Sequence, residues 1–304
     1  MTGGLDFYRP NPRVAGSAPG FYPFMDVLLE RHGAAVAEAV RAAVERRAER
    51  PGPVPRRVWL HWAQGWAAAP PVALLCRDSW LAWNRRYDVV PTDEAGLADL
   101  LAGVAWEPAR FPPRIRADAL RLRLLARRGG VWADATVFCS RPLETWLPFC
   151  TADSRFFVFA FRPGGDRGLA SWFIQGDGGS PLLAAWSALF DLYLAELSRR
   201  RQAPHAYFAL HYVFDIARQL LPETRDEWET MPKLPPAQAG GAVLRMLEAG
   251  DDAGLGEAEQ ARLARLLHEI PLHKLSWKGA VAAGGARVEA VFAALRACLA
   301  AGRA

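Results

Sequence analysis

Hydrophobic and polar residues follow two different periods in the middle of this chain. After two prolines, about fifteen residues of good helix formers carry apolar side chains near helical spacing, at Ile115, Ala119, Leu122 and Ala126. Gly129 and Gly130 follow, and glycine accepts the left-handed conformation that a helix end needs. The next residues, VWADATVFC, are rich in β-formers and alternate. The pattern therefore predicts a helix, a glycine break and a strand in succession.

The same periods predict further helices and strands on both sides of this segment. Residues 1 to about 24 have no period and predict an irregular arm, and an amphipathic helix follows from Phe24 to about Arg50, ended by the run Pro51-Gly52-Pro53. Later strands are predicted at 56–65, 87–94, 156–161 and from 171, and later helices at 70–83, 97–106, 182–199, 205–221, 257–268 and 286–299. This alternation predicts an α/β fold with a mostly parallel sheet flanked by helices, and helical additions at the N-terminus and in the C-terminal half. We divide the chain into an arm with its helix, 1–54, and a main domain, 55–304.

Length and composition allow one large folded domain and exclude several classes of protein. The 304 residues are 51% hydrophobic and 23% charged, which is enough to bury a substantial core. A net charge of +5 favours phosphate-bearing ligands or an anionic membrane surface. The arginines alternate with acids and alanines along predicted helices, so we expect no nucleic-acid partner.

Cysteine usage and hydropathy bear on the compartment. The four cysteines, at 76, 139, 150 and 298, form no C-x-x-C pair, and no apolar run follows a basic start. No window reaches about 18 uninterrupted apolar residues, as a membrane-spanning helix would need. These features favour a cytoplasmic protein with free thiols. Arginines on the N-terminal helix allow peripheral contact with anionic lipid as an alternative to simple packing.

Candidate chemistry is concentrated on the helix and strand of the central segment. On a continuous strand from Val131 to Phe138, Asp134 and Thr136 would be neighbours on one face. Asp118 and Arg121, three residues apart on the preceding helix, share a side and could present a carboxylate and a guanidinium to one ligand.

This helix, Gly-Gly break and D-x-T strand, RADALRLRLLARRGGVWADATVFCSRPL, resemble the sugar- and metal-binding segment of the GT-A glycosyltransferases of the DXD-sugar-binding type. The resemblance is greatest to the bacterial capsular polysaccharide synthesis protein family, and it extends from about Val58 to Lys278. It implies a GT-A-like (Rossmann-like) fold. It also implies that Asp118 and Arg121 hold donor-sugar hydroxyls and that Asp134 acts near the diphosphate with a divalent metal, Mn²⁺ or Mg²⁺. Thr136 stands where better-known relatives have a second aspartate, and a neutral hydroxyl holds a cation weakly. This departure bears on the requirement for a metal and not on membership of the family.

The resemblance assigns further donor-binding residues outside the central segment. In RRVWLHWAQG it points to Trp62 as the aromatic that stacks on uracil, with Trp59 and His61 as alternatives because only one face of the strand can meet the ligand. Trp172 and Gln175 are candidates by position alone.

PLHKLSWK is the last motif that the resemblance explains. It implies that His273 joins the metal and that Lys278 meets the leaving phosphates, with Lys274 as the alternative. If so, His273 would partly replace the ligand lost at Thr136. The alternative interpretation of the same residues is a solvated polar loop without a role in binding.

Each of the other polar candidates has a structural and a functional interpretation. Asp88, Asp93 and Glu94 are solvated turn acids or ribose contacts. His211 and Asp215, one helical turn apart, are a hydrogen-bonded pair or an acceptor-binding or proton-transfer pair.

The resemblance implies a glycosyltransferase of the hexosyltransferase type. It would move a sugar from a nucleotide-diphosphate donor, UDP-linked by expectation, to a hydroxyl of a glycan or lipid-linked saccharide, with retention at the anomeric carbon. Two alternatives remain, a non-catalytic nucleotide-sugar- or glycan-binding member of the same fold, and a peripheral scaffold of a polysaccharide assembly machine. The sequence indicates neither the sugar, nor the acceptor, nor the oligomeric state.

Overall fold

The computed structural model describes residues 8–49, 52–249 and 254–303, except for the side chains of 237–240. Seven strands lie in these ranges: β1 Arg57–His61, β2 Asp88–Thr92, β3 Gly130–Asp134, β4 Val137–Cys139, β5 Phe157–Ala160, β6 Leu169–Gly176 and β7 Leu272–Lys274. The α-helices described there are α1 Pro12–Ser17, α2 Phe21–Glu49, α3 Pro71–Trp83, α4 Ala98–Leu101, α5 Pro113–Arg128, α6 Leu147–Cys150, α7 Pro181–Arg200, α8 Ala209–Ala217, α9 Pro222–Thr230, α10 Pro236–Glu248, α11 Glu257–Glu269, α12 Ala280–Ala283 and α13 Ala286–Arg303. Short 3₁₀ helices lie at Trp66–Ala68, Ala95–Leu97, Pro108–Arg110 and Leu143–Thr145.

The strands form two sheets. Five strands make the larger sheet in the order β2-β1-β3-β6-β5, and β4 and β7 make a second, two-stranded sheet. β1 and β2 run parallel, with Arg57 opposite Asp88, whereas β5 and β6 run antiparallel. The predicted α/β fold with a mostly parallel sheet flanked by helices is confirmed.

The chain divides into two compact units. Unit 1 contains the residues up to Pro55, Ala95–Trp132 and Cys150–Leu234, and unit 2 contains Arg56–Glu94, Ala133–Phe149 and Pro235–Ala304. The boundary falls inside β3, between Trp132 and Ala133. The first boundary lies beside the division predicted after residue 54, but the N-terminal residues share unit 1 with later segments.

Unit 1 is organised around α7. Helices α2, α5, α8 and α9 all pack on it. Phe24 of α2 meets the Tyr193 ring edge-on with centroids 5.5 Å apart, and Tyr193 is fully buried. The predicted packing of the amphipathic N-terminal helix is confirmed within this unit, while Arg31 and Arg41 on its other face are exposed.

The predicted irregular arm is wrong for part of its length. Residues Pro12–Ser17 form α1, because the side chain of Asn11 accepts a hydrogen bond from the Arg13 amide and proline occupies the first turn. Val14 then buries its side chain completely. Residues 1–7 of the predicted arm, and Arg50 and Pro51 at the predicted helix end, lie outside the described residues.

Unit 2 has a hydrophobic core of its own. Helix α3 packs on β4 and α13, and α10 packs on β7. Fully buried side chains of this core include Cys76, Phe138, Val291 and Leu295. Burial raises the pKa of the Cys76 thiol well above its ordinary value, so this cysteine is a packing residue and an unreactive one.

The glycine break ends α5 as predicted. Gly129 has φ 66° and Gly130 has φ 114°, both in the region that favours glycine. A Cβ at Gly129 would lie 2.9 Å from Asp177 Cβ and 2.9 Å from Pro55 Cδ, so space as well as conformation requires glycine there. The turn starts β3 directly after the helix.

No helix in the described ranges combines the length and hydropathy of a membrane-crossing segment. The lipid contact considered for α2 remains a prediction.

Candidate functional site

The D-A-T motif forms a turn between two sheets. β3 ends at Asp134, Ala135 and Thr136 form the turn, and β4 begins at Val137. The predicted continuous strand, with Asp134 and Thr136 on one face, is therefore wrong. Its physical reason is that the chain leaves the larger sheet after Asp134 and pairs next with β7, so the alternation is interrupted at the turn.

β7 brings the C-terminal motif to this turn. β4 and β7 pair antiparallel, with Val137 opposite Lys274 and Phe138 opposite His273. The amide of Leu275 donates to the carbonyl oxygen of Thr136 at 2.8 Å and continues the ladder by one step. Residues separated by more than 130 positions in sequence thus form one site within unit 2.

Lys274 occupies the centre of this site. Its Nζ donates a hydrogen bond to Thr136 Oγ1 and lies 3.7 Å from Asp134 Oδ2. The side chains of Lys274 and Asp134 are 27% and 28% exposed, so both can reach a ligand from solvent. The structure brings Asp134 and Thr136 together with Lys274, the alternative to Lys278, and their roles at the diphosphate stay predictions.

His273 lies on the other side of the same strand. Its side chain is 1% exposed, its Nε2 is 3.2 Å from Ser140 Oγ, and its ring lies 6.5 Å from that of Phe138. Ser140 Oγ in turn donates to the Ile270 carbonyl at 2.6 Å. Since consecutive strand residues point to opposite faces, the structure does not bring this imidazole to the Lys274 ammonium and its partners.

Burial determines the protonation of His273. Desolvation lowers the pKa of this imidazole to about 4, because the charged form loses its water inside the core. A backbone hydrogen bond with Ile270 opposes part of this lowering of the pKa. At neutral pH the ring is therefore neutral, and it packs as part of the β4–β7 ribbon.

Two tryptophans flank the turn. Trp62 follows β1 directly, and its ring packs with Ala135 of the D-A-T turn and with Ala69 and Ala73. The Trp62 ring meets the ring of Trp277 edge-on, with centroids 5.9 Å apart. Trp277 is 46% exposed, which leaves an aromatic face open to a ligand.

The two alternatives to Trp62 have structural roles. Trp59 is 3% exposed under the Arg57 guanidinium, which lies 5.2 Å from the ring centroid. His61 is 8% exposed, and its Nδ1 lies 3.4 Å from Thr92 Oγ1. Trp62, the first choice of the sequence analysis, packs against the apolar cluster that contains Ala135 of the D-A-T turn.

Trp277 is the site residue that sequence reasoning missed. Lys278 Nζ lies 5.0 Å from the centroid of its ring, close enough for a cation–π contact. The sequence contained a signal for this residue, since an aromatic side chain directly before the proposed phosphate-binding lysine is suited to stack on a nucleobase. Lys274 ends β7 and Lys278 lies on the segment that follows it, so the same stretch of chain carries two ammonium groups and Trp277.

Unit 1 carries the predicted carboxylate–guanidinium pair. Arg121 Nη2 lies 3.1 Å from Asp118 Oδ1, and its Nη1 donates to the Ser171 carbonyl at 2.6 Å. The guanidinium also lies 5.1 Å from the centroid of the Trp132 ring. Asp118 and Arg121 are 6% and 7% exposed, so α5 holds them in fixed positions.

Trp172 and Gln175, predicted by position alone, lie on β6 in unit 1. Trp172 stacks on Phe159 with centroids 4.8 Å apart. Gln175 is 6% exposed, and its Oε1 is buried without a hydrogen-bond partner. The arrangement fixes both side chains, and their donor-binding roles stay predictions.

The remaining polar candidates have partners of their own. Asp215 Oδ1 accepts from Arg218 Nε at 2.9 Å, and the His211 ring meets Phe208 edge-on with centroids 5.4 Å apart. Asp88 accepts from Arg57 Nε at 2.8 Å on the surface. The Arg57 contact favours a surface role for Asp88, and Asp215 is held by Arg218, so the roles of His211 and Asp215 stay predictions.

The D-A-T turn offers a divalent cation one carboxylate, Asp134, which the Lys274 ammonium already approaches to 3.7 Å. Mg²⁺ is commonly held by one or two carboxylates together with substrate phosphates, but here the Thr136 hydroxyl accepts from an ammonium, and His273 faces the other side of β7. At an effective dielectric constant of about 20, a positive charge about 4 Å from Lys274 is repelled by about 4 kcal/mol, which offsets its attraction to Asp134 at a similar distance. Among the described residues, no three His, Cys, Asp or Glu side chains could hold one ion together.

Comparison with known proteins identifies a family whose profile matches most of the chain. The profile of the capsular polysaccharide synthesis protein family matches residues 29–284. Among solved structures, one titled PaToxG Glycosyltransferase is 11% identical, with a TM-score of 0.42 over 91% of this chain and 97% of that one, which is too weak to support an inference. No curated protein matches significantly. The family match spans the helix α5, the D-A-T turn and β7, and the chain therefore belongs to the capsular polysaccharide synthesis protein family.

Proposed function

We propose that this protein is a glycosyltransferase that moves a sugar from a UDP-linked donor to a hydroxyl of a glycan or lipid-linked saccharide. The observation that carries the proposal is the cluster of Asp134, Thr136 and Lys274 beside the Trp62–Trp277 pair in unit 2. A nucleoside diphosphate needs a flat surface for its base and positive charge for its phosphates, and this cluster offers both. Family membership points to polysaccharide synthesis as the setting.

The nucleobase would lie on the exposed face of Trp277. Stacking of a base on an aromatic side chain contributes about 1–3 kcal/mol and tolerates several bases. The choice of uracil comes from the family resemblance. Lys278, close to the same ring, would face the phosphates.

The reaction exchanges one bond at the anomeric carbon. The bond from that carbon to the diphosphate oxygen breaks, and its electron pair leaves with the diphosphate. The acceptor oxygen forms the new bond on the same face, and its proton passes to a phosphate oxygen of the leaving group. The protein positions the reactants and stabilises the departing charge, so this path requires no separate catalytic base.

The Asp118–Arg121 pair is assigned to the donor sugar. A carboxylate accepts hydrogen bonds from sugar hydroxyls and a guanidinium donates them, and both groups are already fixed by neighbouring contacts. Fixed partners lower the entropy lost when the sugar binds.

Thermal-shift measurements with a panel of nucleotides and nucleotide sugars test the proposal. A ligand that binds only the folded protein at about 100 times its dissociation constant adds about 2.7 kcal/mol of stability. We expect UDP and at least one UDP-sugar to raise the melting temperature, and the Phe149→Ala variant, changed at an exposed aromatic residue, to respond as the wild type does. A panel in which no nucleotide shifts the melting temperature would refute the proposal.

A non-catalytic nucleotide-sugar-binding protein is the second candidate. Thr136 in place of a second aspartate favours it, because one carboxylate fewer is available at the reacting end of the donor. Such a protein would show the same thermal shifts but would release no UDP from any UDP-sugar, with or without an acceptor.

A further inference from the structure

We propose that the ammonium of Lys274 is the cation that neutralises the donor diphosphate, so that this transferase works without a divalent metal. The inference rests on the proposed function and concerns the chemistry of the same site. It is carried by the contacts of Lys274 with Thr136 and Asp134.

The strand pairing fixes where the ammonium lies. Lys274 ends β7 opposite Val137, and the Leu275 amide bonds the Thr136 carbonyl, so the backbone on both sides of the D-A-T turn is held. The ammonium has three N–H donors. One bonds the Thr136 hydroxyl, and a second points to the Leu275 carbonyl at 3.4 Å.

Charge at the turn suits an ammonium better than a metal ion. Asp134 supplies one carboxylate, which attracts Lys274 across 3.7 Å, and Thr136 supplies a neutral acceptor. A divalent cation on Asp134 would have to displace this ammonium or lie close to it. The imidazole of His273, which the resemblance assigned to the metal, is buried against Ser140.

Part of the Lys274 side chain is accessible to a ligand. The Lys274 side chain is 27% exposed, so part of it faces solvent while its partners hold it. When the bond to the anomeric carbon breaks, the electron pair moves to the diphosphate oxygen, and a fixed ammonium stabilises that charge. Asp134 and Thr136 act as the positioning residues of Lys274.

Chelation gives the first test. UDP affinity, by calorimetry, and UDP release from a UDP-sugar are measured after treatment with EDTA and again with added Mn²⁺. We expect the UDP affinity with EDTA to lie within about twofold of the UDP affinity with Mn²⁺. We expect the same of the rate of UDP release. Affinity or turnover that disappears with EDTA and returns with Mn²⁺ overturns this inference and leaves the proposed function intact. A protein that binds no UDP in either condition overturns the proposed function, and the inference with it.

Substitution of Lys274 gives the second test. Lys274→Met removes the charge and keeps the length, and it should weaken UDP binding at least tenfold while uridine binding, which involves no phosphate, stays unchanged. Lys274→Arg should restore most of the UDP affinity, and Arg265→Met, at an exposed position on α11, is the matched control for a lost surface charge. Unchanged UDP affinity in Lys274→Met would contradict the inference.

A double variant that replaces the ammonium by a metal-binding aspartate completes the test. Thr136→Asp combined with Lys274→Met restores a D-x-D pair and removes the ammonium. We expect this double variant to bind UDP only with Mn²⁺, the reverse of the wild type. Metal-independent UDP binding by the double variant would show that Lys274 is not the group that replaces the metal.

Discussion

The ammonium of Lys274 donates a hydrogen bond to the hydroxyl of Thr136 across the β4–β7 ribbon. This contact joins the D-A-T motif of the central segment to the HKLSWK motif near the C-terminus. It places a positive charge beside Asp134, the carboxylate at the end of β3. The candidate phosphate-binding site of unit 2 is built on this relationship.

The aromatic pair predicts how substitutions change nucleotide affinity. Trp277→Ala should weaken UDP binding by about 1–3 kcal/mol, the usual contribution of one stacked base, because its ring is exposed beside Trp62. Calorimetry with UDP measures the loss. Phe149→Ala, which removes an aromatic side chain that is 82% exposed, should leave UDP affinity unchanged. Equal affinities for wild type and Trp277→Ala would exclude this tryptophan from the base-binding site.

Arg121→Ala should reduce sugar transfer more than nucleotide binding, since the pair with Asp118 is assigned to the sugar. UDP release from a UDP-sugar and UDP affinity, measured side by side, separate the two effects. The same change should destabilise the fold by about 3–5 kcal/mol, because it leaves the buried Asp118 carboxylate with a weaker partner. Activity is therefore compared below the melting temperature of the variant. A larger loss of UDP affinity than of UDP release would contradict the assignment.

Stability should depend on pH through His273. Burial lowers the pKa of this imidazole to about 4, below its ordinary value near 6.5, so the unfolded chain binds the proton more readily. The contribution of His273 to the free energy of unfolding is complete above pH 6.5. It is lost as the pH falls towards 4, and the total loss is about 3 kcal/mol. His205, whose pKa burial also lowers, contributes in the same direction.

Urea unfolding at pH 7 and pH 5 measures this dependence. His273→Phe should flatten the fall in the free energy of unfolding, whereas His32→Gln, at an exposed position on α2, should leave it unchanged. An unchanged slope in His273→Phe would show that the imidazole is not the titrating group.

The order of elements could be predicted from the sequence because local signals coincide. Helix α5, the Gly129 stop and β3 follow from spacing and from the conformations open to glycine. The end of β3 at Asp134 could not be predicted in this way, because VWADATVFC alternates throughout. The pairing of β4 with β7, which has no local signal, determines where the strand ends.

The sequence predicted part of the candidate site's membership but missed Trp277 and did not predict the geometry. The sequence named Asp134, Thr136 and both lysines, and left Lys274 and Lys278 as alternatives. Which side of β7 meets the turn depends on register, since a shift of one residue would exchange His273 for Lys274. That register separates the predicted metal ligand His273 from the turn and places the ammonium there instead.

UDP release from a panel of UDP-sugars by wild type and Asp134→Asn tests the account most directly. The variant keeps the shape of the side chain and removes its charge. We expect the wild type to release UDP from at least one sugar donor, and the variant to lose about 10²-fold in rate, because the Lys274 ammonium loses the carboxylate that positions it. A folded Asp134→Asn protein with the wild-type rate would contradict the central claim.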